Sequence, residues 1–240
     1  MRIHVWLAKH TKLSRRKAEM QVSEKRVTIN HKTAEIGQAV ELGDVVHLDG
    51  VRIRAVQSER RIVALHKPEG YVCSHRPQGD ELSVFNLLPE YTHTKWILVG
   101  RLDINTSGLL LVTNDGNLAN QLAHPSTGLE REYLVRVNSK LSSEMIAQLK
   151  QGVVLDDGLA KFSHITLQPK QKEGRNTWYK VTLDEGRNRI VRRLMESQGV
   201  LVNRLMRVRF GPFKLDKALG AGKFQDISPQ WVDQYLANKW

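Results

Sequence analysis

The sequence predicts an α+β protein in which a small N-terminal domain precedes a larger one. Helix-like and strand-like segments are mixed along the chain without regular β-α-β alternation, which argues against a doubly wound parallel sheet. The 240 residues are enough for one small and one medium-sized domain. Hydrophobic residues make up 40% and charged residues 26%, proportions typical of a soluble globular protein.

The first 50 residues predict two short helices followed by short strands. Ser14 precedes the second helix and is expected to cap it, because a serine oxygen can accept a bond from a free N–H of the first turn. The polar segment 51–60 is predicted as a linker, although a last strand would also fit it. The predicted elements are helices at 2–10 and 14–24 and strands at 26–29 and 44–48.

The remaining residues, 61–240, predict a second domain in which strands and helices follow each other in irregular order. Pro125 and Gly152 are expected to end two of its helices. The helix over 188–198 carries Ile190, Val191, Leu194 and Met195 on one apolar face. The predicted strands are 61–65, 109–112, 131–137, 177–183 and 200–210, and the predicted helices are 115–124, 142–151, 188–198 and 229–238.

The charge of the chain points to a polyanionic partner. The formal net charge is +12 and the pI is about 9.9. A basic protein of this kind suggests nucleic acid first and an anionic membrane surface second. Segment 187–209 holds seven arginines against one acid, Glu196. Arginine suits phosphate because its planar fork of donors matches the oxygens, so the cluster favours nucleic acid.

Several other classes of protein do not fit the sequence. No apolar run approaches the ~20 residues of a membrane span, and the N-terminus lacks the apolar core of a signal peptide. Cys73 is the only cysteine, so no internal disulfide can form. We therefore expect a cytoplasmic protein that does not contact a membrane.

A metal site is not expected either. Residues 103–108 imitate the start of a calcium-binding loop, but Asn114 stands where the bidentate glutamate of such a loop should be. Neither an HExxH nor a CxxC sequence occurs, so the usual zinc patterns are missing too.

Asp103 is the most informative residue, at the centre of Gly100-Arg-Leu-Asp-Ile-Asn-Thr-Ser-Gly108. It lies just before an apolar run that predicts a buried strand. A charge at the edge of a core is costly unless something pairs with it. From the residues alone, Asp103 is either a member of a structural ion pair or a reactive group.

Four segments together resemble the pseudouridine synthases that modify ribosomal RNA. Residues 2–48 resemble an S4-type RNA-binding domain, through 13–18, 26–30 and 43–46. Lys25 and His31 stand where that domain usually has glycines, which implies a modest strain if those positions need a positive φ. The other three matching segments are 67–70, 100–108 and 185–194.

The resemblance implies an S4-like domain over 1–50, a linker over 51–60 and a catalytic domain over 61–240 with a mixed, mainly antiparallel sheet flanked by helices. It implies isomerisation of a specific uridine to pseudouridine in ribosomal RNA, with a flipped-out base as substrate. The expected partner is 23S rRNA, free or in a large-subunit assembly intermediate. No metal or organic cofactor is expected, and the chain is expected to be a monomer.

The same resemblance assigns roles to individual residues. Asp103 matches the essential carboxylate, which acts as a nucleophile at the sugar or the base, or stabilises a glycal-forming path. Arg192 matches the basic residue that pairs with it, Tyr133 the ring that packs on the target base, and Leu205 the apolar wall of the base pocket. Arg101 is expected to hold the backbone of the flipped nucleotide or to fill its vacated place.

Those roles compete with simpler ones. Without the resemblance, Tyr133 and Leu205 would be interpreted as core residues and Arg192 as a phosphate contact. Lys67-Pro68-Glu69-Gly70 is predicted to be a structural turn and not a catalytic element. The residues expected to contact RNA elsewhere are Arg15, Arg16, Lys17, Arg187 and Arg189. The rival hypothesis is a non-catalytic RNA-binding or ribosome-assembly factor, for which the charge is equally suitable.

Overall fold

The computed structural model describes residues 1–55, 59–90, 95–169 and 176–239. The chain divides into two units, the first made of Met1–Arg60 and Glu90–Trp96, the second of Arg61–Pro89 and Ile97–Trp240. Each unit is described by itself. Within the described ranges, every helix is too short or too polar to cross a lipid bilayer.

The first unit packs two helices on a small antiparallel sheet. The helices begin and end within one residue of the prediction, and Ser14 caps the second by accepting a 3.2 Å bond from the N–H of Lys17. Ile3 and Leu7 from one helix and Val22 from the other are buried against the sheet. The sheet order is β2-β1-β3-β4. The elements are α1 (Ile3–His10), α2 (Arg15–Ser23), β1 (Val27–Ile29), β2 (Lys32–Thr33), β3 (Val46–Leu48) and β4 (Val51–Ile53).

The linker predicted from residue 51 is wrong at its start, because β4 occupies 51–53 and pairs with β3. Asp49 and Gly50 both adopt positive φ, 52° and 75°, which is the backbone of a tight hairpin turn whose twist matches the strands. An Asp-Gly pair followed by the alternating Val-Arg-Ile carries the local signal for this hairpin.

Lys25 and His31 adopt φ values of 57° and 67°. These are the left-handed conformations that glycine adopts without penalty, and each non-glycine residue there carries a modest strain. The sequence predicted strain at these two positions if they need a positive φ, and both have one.

The second unit contains a mixed sheet whose main path is β13-β14-β10-β15-β9-β5-β17, with β8 and β16 attached at β9 and β15. Only the pairing of β15 with β9 is parallel among the described strands of this sheet, so the predicted mixed, mainly antiparallel sheet is confirmed. Its strands are β5 (Ile62–Lys67), β8 (Ile97–Leu98), β9 (Ser107–Thr113), β10 (Arg131–Val137), β13 (His164–Leu167), β14 (Thr177–Leu183), β15 (Val202–Phe210), β16 (Phe213–Lys214) and β17 (Phe224–Ile227).

The described part of this unit also contains two further strand pairs, four α-helices and two short 3-10 helices, Val84–Leu87 and Pro125–Thr127. A parallel pair joins β6 (Tyr71–Val72) and β7 (Leu82–Ser83), and a hairpin joins β11 (Val153–Leu155) and β12 (Gly158–Ala160). The helices are α3 (Gly116–Ala123), α4 (Ser143–Gln151), α5 (Ile190–Glu196) and α6 (Pro229–Lys239). One core packs α3 and α6 on β5 and β9, through residues that include Leu111, Leu118 and Val232.

The elements predicted for this unit are found with differences at their ends, whereas the short strands β6, β7, β8, β11, β12, β13, β16 and β17 were not predicted. The strand predicted to end at 65 continues to Lys67, so Lys67 belongs to β5 and not to the turn that follows. The helix predicted from 188 begins at Ile190, because Arg189 takes φ 48° and acts as its N-cap. The predicted apolar face of this helix is buried as expected: Ile190, Val191, Leu194 and Met195.

One glycine fixes how closely two strands approach. Gly108 at the start of β9 has φ 105°, and a Cβ atom there would lie 2.2 Å from the carbonyl oxygen of Arg207 in β15. No other residue fits such an approach. The segment that carries Asp103 is therefore held directly against β15.

Candidate active site

An open cleft of about 1050 Å³ in the second unit brings together most of the predicted site residues. Asp103 lies in the loop between β8 and β9, and residues of β10, β15 and the loop before α5 line the same cleft. The predicted residues that line it are Arg101, Asp103, Tyr133, Arg187, Arg189 and Leu205. No group of three or more histidine, cysteine or acidic side chains in the described ranges is arranged to hold a metal ion.

The carboxylate of Asp103 is half-buried and unpaired. The backbone around it forms a turn in which the N–H of Thr106 donates to the carbonyl of Asp103 at 3.0 Å. Among the described residues, no side chain donates a hydrogen bond to the carboxylate or forms an ion pair with it. Arg101, two residues earlier, is exposed at the same cleft. The acid is positioned by its backbone, and its oxygens remain available.

Lys67 holds this loop from below. Its side chain is 0% exposed, and its ammonium donates to the carbonyls of Pro68, Ile104 and Thr106 at 3.0, 3.3 and 2.7 Å. Burial lowers the pKa of Lys67, and the nearby Cys73 and Asp103 oppose that shift. Sequence reasoning left Lys67 as part of a turn, because nothing local shows that its amine reaches carbonyls nearly 40 residues away.

Arg192 holds the same loop from the α5 side. Its guanidinium donates to the carbonyl of Asn105 at 2.8 Å and to that of Val202 at 2.9 Å, and its side chain is 8% exposed. Burial and the neighbouring Arg189 lower the pKa of Arg192, while the charge of Asp103 raises it.

The predicted direct ion pair between Arg192 and Asp103 is wrong for this structure: within the described part of the chain the two side chains form none. The physical reason is that both Nη atoms of Arg192 already donate to backbone carbonyls, those of Val202 and Asn105, while its Nε is buried and has no acceptor in the described part of the chain. Arg192 therefore positions the loop and acts on Asp103 through its field.

The floor of the cleft is formed by side chains of β10 and β15. Tyr133 is 7% exposed and Leu205 is 4% exposed, yet both line the cleft. Both are therefore buried, as the core interpretation predicts, and their contact with a target base stays a prediction. Two buried arginines lie beside them, Arg131 and Arg207, with their guanidinium carbons 5.0 and 5.1 Å from the centre of the Phe210 ring.

Sequence reasoning missed both arginines as floor residues. The available signal was the period of two in a strand, which places Arg131 on the face of Tyr133 and Arg207 on the face of Leu205. Cys73 also lines the cleft, where burial raises the pKa of its thiol.

The arginine cluster is partly consumed by internal ion pairs. Arg187 binds Glu185 and also Asp157, the latter at 2.8 Å, and these contacts raise its pKa. Arg193 binds Asp156 and Asp157. The predicted contact of Arg187 with RNA stays a prediction, and in this structure its guanidinium already binds two carboxylates. Arg189 is exposed, and its side chain has no partner among the described residues.

The other predicted RNA contacts lie in the first unit. Arg15, Arg16 and Lys17 form the first turn of α2, and all three side chains are exposed. Across the described ranges they form no ion pair. Their contact with RNA stays a prediction.

Comparison with known proteins agrees with this arrangement. The sequence model described as RNA pseudouridylate synthase matches residues 61–197, and the model of the S4 domain matches residues 1–46. The first match covers more than half of the sequence, and the chain belongs to the RNA pseudouridylate synthase family.

Curated relatives point to one branch of that family. The chain is 48% identical over 223 residues to ribosomal large subunit pseudouridine synthase B of Pseudomonas aeruginosa, covering 92% of this chain and 58% of that protein. It is 45% identical over 232 residues to the protein of the same name from Haemophilus influenzae, covering 95% of this chain and 64% of the relative. The chain thus spans about three-fifths of the length of these relatives.

A solved structure described as a pseudouridylate synthase has the same fold. Its superposition has a TM-score of 0.66 and covers 97% of this chain and 98% of the other, at 24% sequence identity.

Proposed function

We propose that this chain isomerises a specific uridine to pseudouridine in ribosomal RNA, and that its substrate is 23S rRNA, free or in a large-subunit assembly intermediate. The observation that carries the proposal is the carboxylate of Asp103, which has no side-chain partner among the described residues and whose loop Lys67 and Arg192 hold through backbone carbonyls at the edge of a cleft. The names of the two relatives describe the same activity on the large subunit.

The proposed reaction breaks the bond between N1 of the uracil and C1′ of the ribose and joins C5 to C1′ instead. Asp103 acts as the nucleophile at the sugar or at the base, or stabilises the glycal-forming route, and each route needs an ionised carboxylate next to the flipped nucleotide. Tyr133 stacks on the extruded base and Leu205 forms the apolar wall of its pocket.

The backbone of the flipped nucleotide lies at the rim. Arg101 and Arg189 are exposed there and supply positive charge to its phosphates. No step of this scheme requires a metal or an organic cofactor.

The proposal includes a division of labour along the chain. Residues 1–53 form an S4-type domain whose helix α2 contacts RNA phosphates, and residues 61–240 form the catalytic domain. Such contacts position the RNA without reading its sequence, and they offset the few kcal/mol that extrusion of a base costs. We place the protein in the cytoplasm as a monomer bound to ribosomal RNA.

The test is the substitution Asp103→Asn, which keeps the shape of the side chain and removes its charge. The substrate is unmodified rRNA prepared from cells that lack this chain. On it, the Asp103→Asn protein should form pseudouridine at least about 10³-fold more slowly than the wild type, because every proposed route uses the carboxylate. RNA affinity in a filter-binding assay should stay within about threefold, since Asp103 carries no RNA phosphate contact. Asp80→Asn, a matched change at an exposed residue that forms no ion pair within the described ranges, is the control.

Wild-type activity in the Asp103→Asn protein would refute the assignment of the catalytic acid. Tight binding of rRNA by the wild-type chain without any pseudouridine would instead support the rival hypothesis of a non-catalytic assembly factor.

A further inference from the structure

Arg207 is a buried charged group that the proposed function leaves unused. Its side chain is 3% exposed and lines the floor of the cleft. Its Nε donates to the carbonyl of Leu109 at 2.8 Å, and the guanidinium lies over the ring of Phe210. Its Nη2 is buried and donates to no acceptor in the described ranges, where Arg207 also forms no ion pair.

Such an arrangement is costly for the free protein. A buried donor without an acceptor loses the hydrogen bonds that water would supply, and a buried cation without an anion loses more. The Leu109 carbonyl and the Phe210 ring fix the guanidinium in place, so it cannot turn out to solvent. An unmet donor at the floor of a substrate cleft indicates an acceptor that arrives with the substrate.

The position of Arg207 indicates which part of a nucleotide that acceptor belongs to. Tyr133 is its direct cross-strand partner in the pairing of β10 with β15, and Leu205 lies two residues away on the same face. These are the residues proposed to hold the base. The exposed arginines Arg101 and Arg189 lie at the rim, where a hydrated phosphate is accommodated at lower cost.

We propose that Arg207 donates a hydrogen bond from Nη2 to a carbonyl oxygen of the target uracil and stabilises the negative charge that develops there during the reaction. This inference rests on the proposed function and adds a further catalytic residue to it.

The chemistry needs such a donor on every route open to Asp103. If the N1–C1′ bond breaks first, its electron pair stays with the uracil and spreads over N1, O2 and O4. If the carboxylate adds to C6 instead, the electron pair of the C5–C6 bond moves onto O4. A fixed cationic donor at a carbonyl oxygen lowers either barrier.

Arg207 transfers no proton in this scheme and acts only as a hydrogen-bond donor. The proton lost from C5 is balanced by the one gained at N1, so the overall step is an isomerisation.

The first experiment compares Arg207→Met and Arg207→Lys with Arg209→Met in single-turnover assays at saturating rRNA. Arg209 is the matched control: it lies on the same strand and binds Glu130 at 2.9 Å instead of lining the cleft. We expect the rate to fall by about 100-fold or more in Arg207→Met and to stay within about twofold in Arg209→Met. RNA affinity should change by less than about threefold in both.

The second experiment separates contact with the base from a structural role. Once the modified uridine is mapped, RNA fragments carry 2-thiouridine or 4-thiouridine at that position, because sulphur accepts hydrogen bonds poorly. For each protein, the rate with the oxygen-containing RNA is divided by the rate with the thio-substituted RNA. For one of the two thio-uridines, this oxygen-to-sulphur ratio should be about tenfold larger in the wild type than in Arg207→Lys. If Arg207 is purely structural, the ratio should be the same in both proteins.

The outcomes are distinguishable. Equal oxygen-to-sulphur ratios in both proteins, or wild-type rates in Arg207→Met while Asp103→Asn is inactive, would overturn the role of Arg207 and leave the proposed function intact. No pseudouridine from the wild type would overturn the function itself. If both Arg207 variants unfold, the test uses the wild type with the thio-substituted RNAs. Reaction of these RNAs as fast as the oxygen form would refute the hydrogen bond between Arg207 and the uracil carbonyl.

Discussion

At the scale of single residues, the site is organised by bonds to backbone carbonyls. Lys67 and Arg192 both donate to carbonyls of the loop that carries Asp103, and neither forms an ion pair with its carboxylate within the described residues. A direct pair would satisfy the acid but would also occupy its oxygens. Holding the loop instead orients Asp103 and keeps its oxygens free for a substrate.

Substitution of Arg192 tests this arrangement. Arg192→Ala removes the donor of two partly buried bonds, those to the carbonyls of Asn105 and Val202, so we expect a loss of about 1–3 kcal/mol in unfolding free energy. At saturating RNA, the rate should fall by about 100-fold, because the loop is no longer oriented. Arg16→Ala, at an exposed position, should weaken RNA binding and leave the saturated rate unchanged.

Arg192→Lys should recover part of the rate, since one donor can still reach the loop. Single-turnover kinetics and urea unfolding measure the two effects separately. Equal effects of Arg192→Ala and Arg16→Ala on the saturated rate would show that Arg192 only contacts phosphate.

At the scale of elements, the β11–β12 hairpin and helix α5 support the loop at the rim of the cleft. The turn of the hairpin supplies Asp156 and Asp157, which bind Arg193 of α5 and Arg187 of the preceding loop. Arg189 lies between those two arginines and is the residue exposed to the cleft. Asp156 and Asp157 of the hairpin therefore neutralise Arg187 and Arg193. The same ion pairs hold the loop before α5, which carries Arg189.

This support should depend on pH through Asp157. The hydrogen bond from Arg193, with the charges of Arg187 and Arg193, lowers the pKa of Asp157 below its usual 3.8. A carboxyl whose folded pKa is depressed adds stability above its unfolded pKa and loses it as pH falls through the folded value. The melting temperature of Asp157→Asn should lie about 1–3 °C below wild type at pH 7, and the gap should close below about pH 3.8.

Calorimetry across that range, with Asp80→Asn as the matched exposed control, measures the gap. A gap that is constant from pH 7 to pH 3, or one that widens on acidification, would contradict the assigned role of the ion pairs.

At the scale of the whole molecule, the net charge is +12, and two sets of exposed cations lie where the proposed function places RNA. One set is Arg15, Arg16 and Lys17 at the start of α2, and the other is Arg101 and Arg189 at the cleft. In the proposed function the first set supplies affinity and the second also positions the nucleotide. Affinity for RNA should therefore depend on salt, because each phosphate contact releases counterions.

Neutralising the first set should separate binding from catalysis. In the triple variant Arg15→Gln, Arg16→Gln and Lys17→Gln, the slope of log affinity against log salt should decrease by about 2, at roughly 0.7 per contact with single-stranded RNA. The saturated rate should stay within about twofold of wild type. A control variant with the same charge change at exposed lysines, Lys140→Gln, Lys150→Gln and Lys161→Gln, should alter the slope much less. Identical slopes for the two variants would show that α2 makes no specific contribution.

The sequence by itself determined what depends on neighbours along the chain. Strands 131–137 and 177–183 have the predicted bounds, and Ser14 caps its helix as expected, because alternation and capping are local patterns. The motif around Asp103 likewise led to the family, since its residues are contiguous.

Only the tertiary structure decided which partners those residues have. Lys67 reaches Thr106, Arg192 reaches Asn105, and Arg207 donates to Leu109 across 98 positions of sequence. Arg187 forms an ion pair with Asp157 because the β11–β12 hairpin lies against the loop before α5. These contacts depend on the order of strands in the sheet and on the cost of leaving polar backbone groups and charges without a partner. No local stretch of sequence specifies either of them.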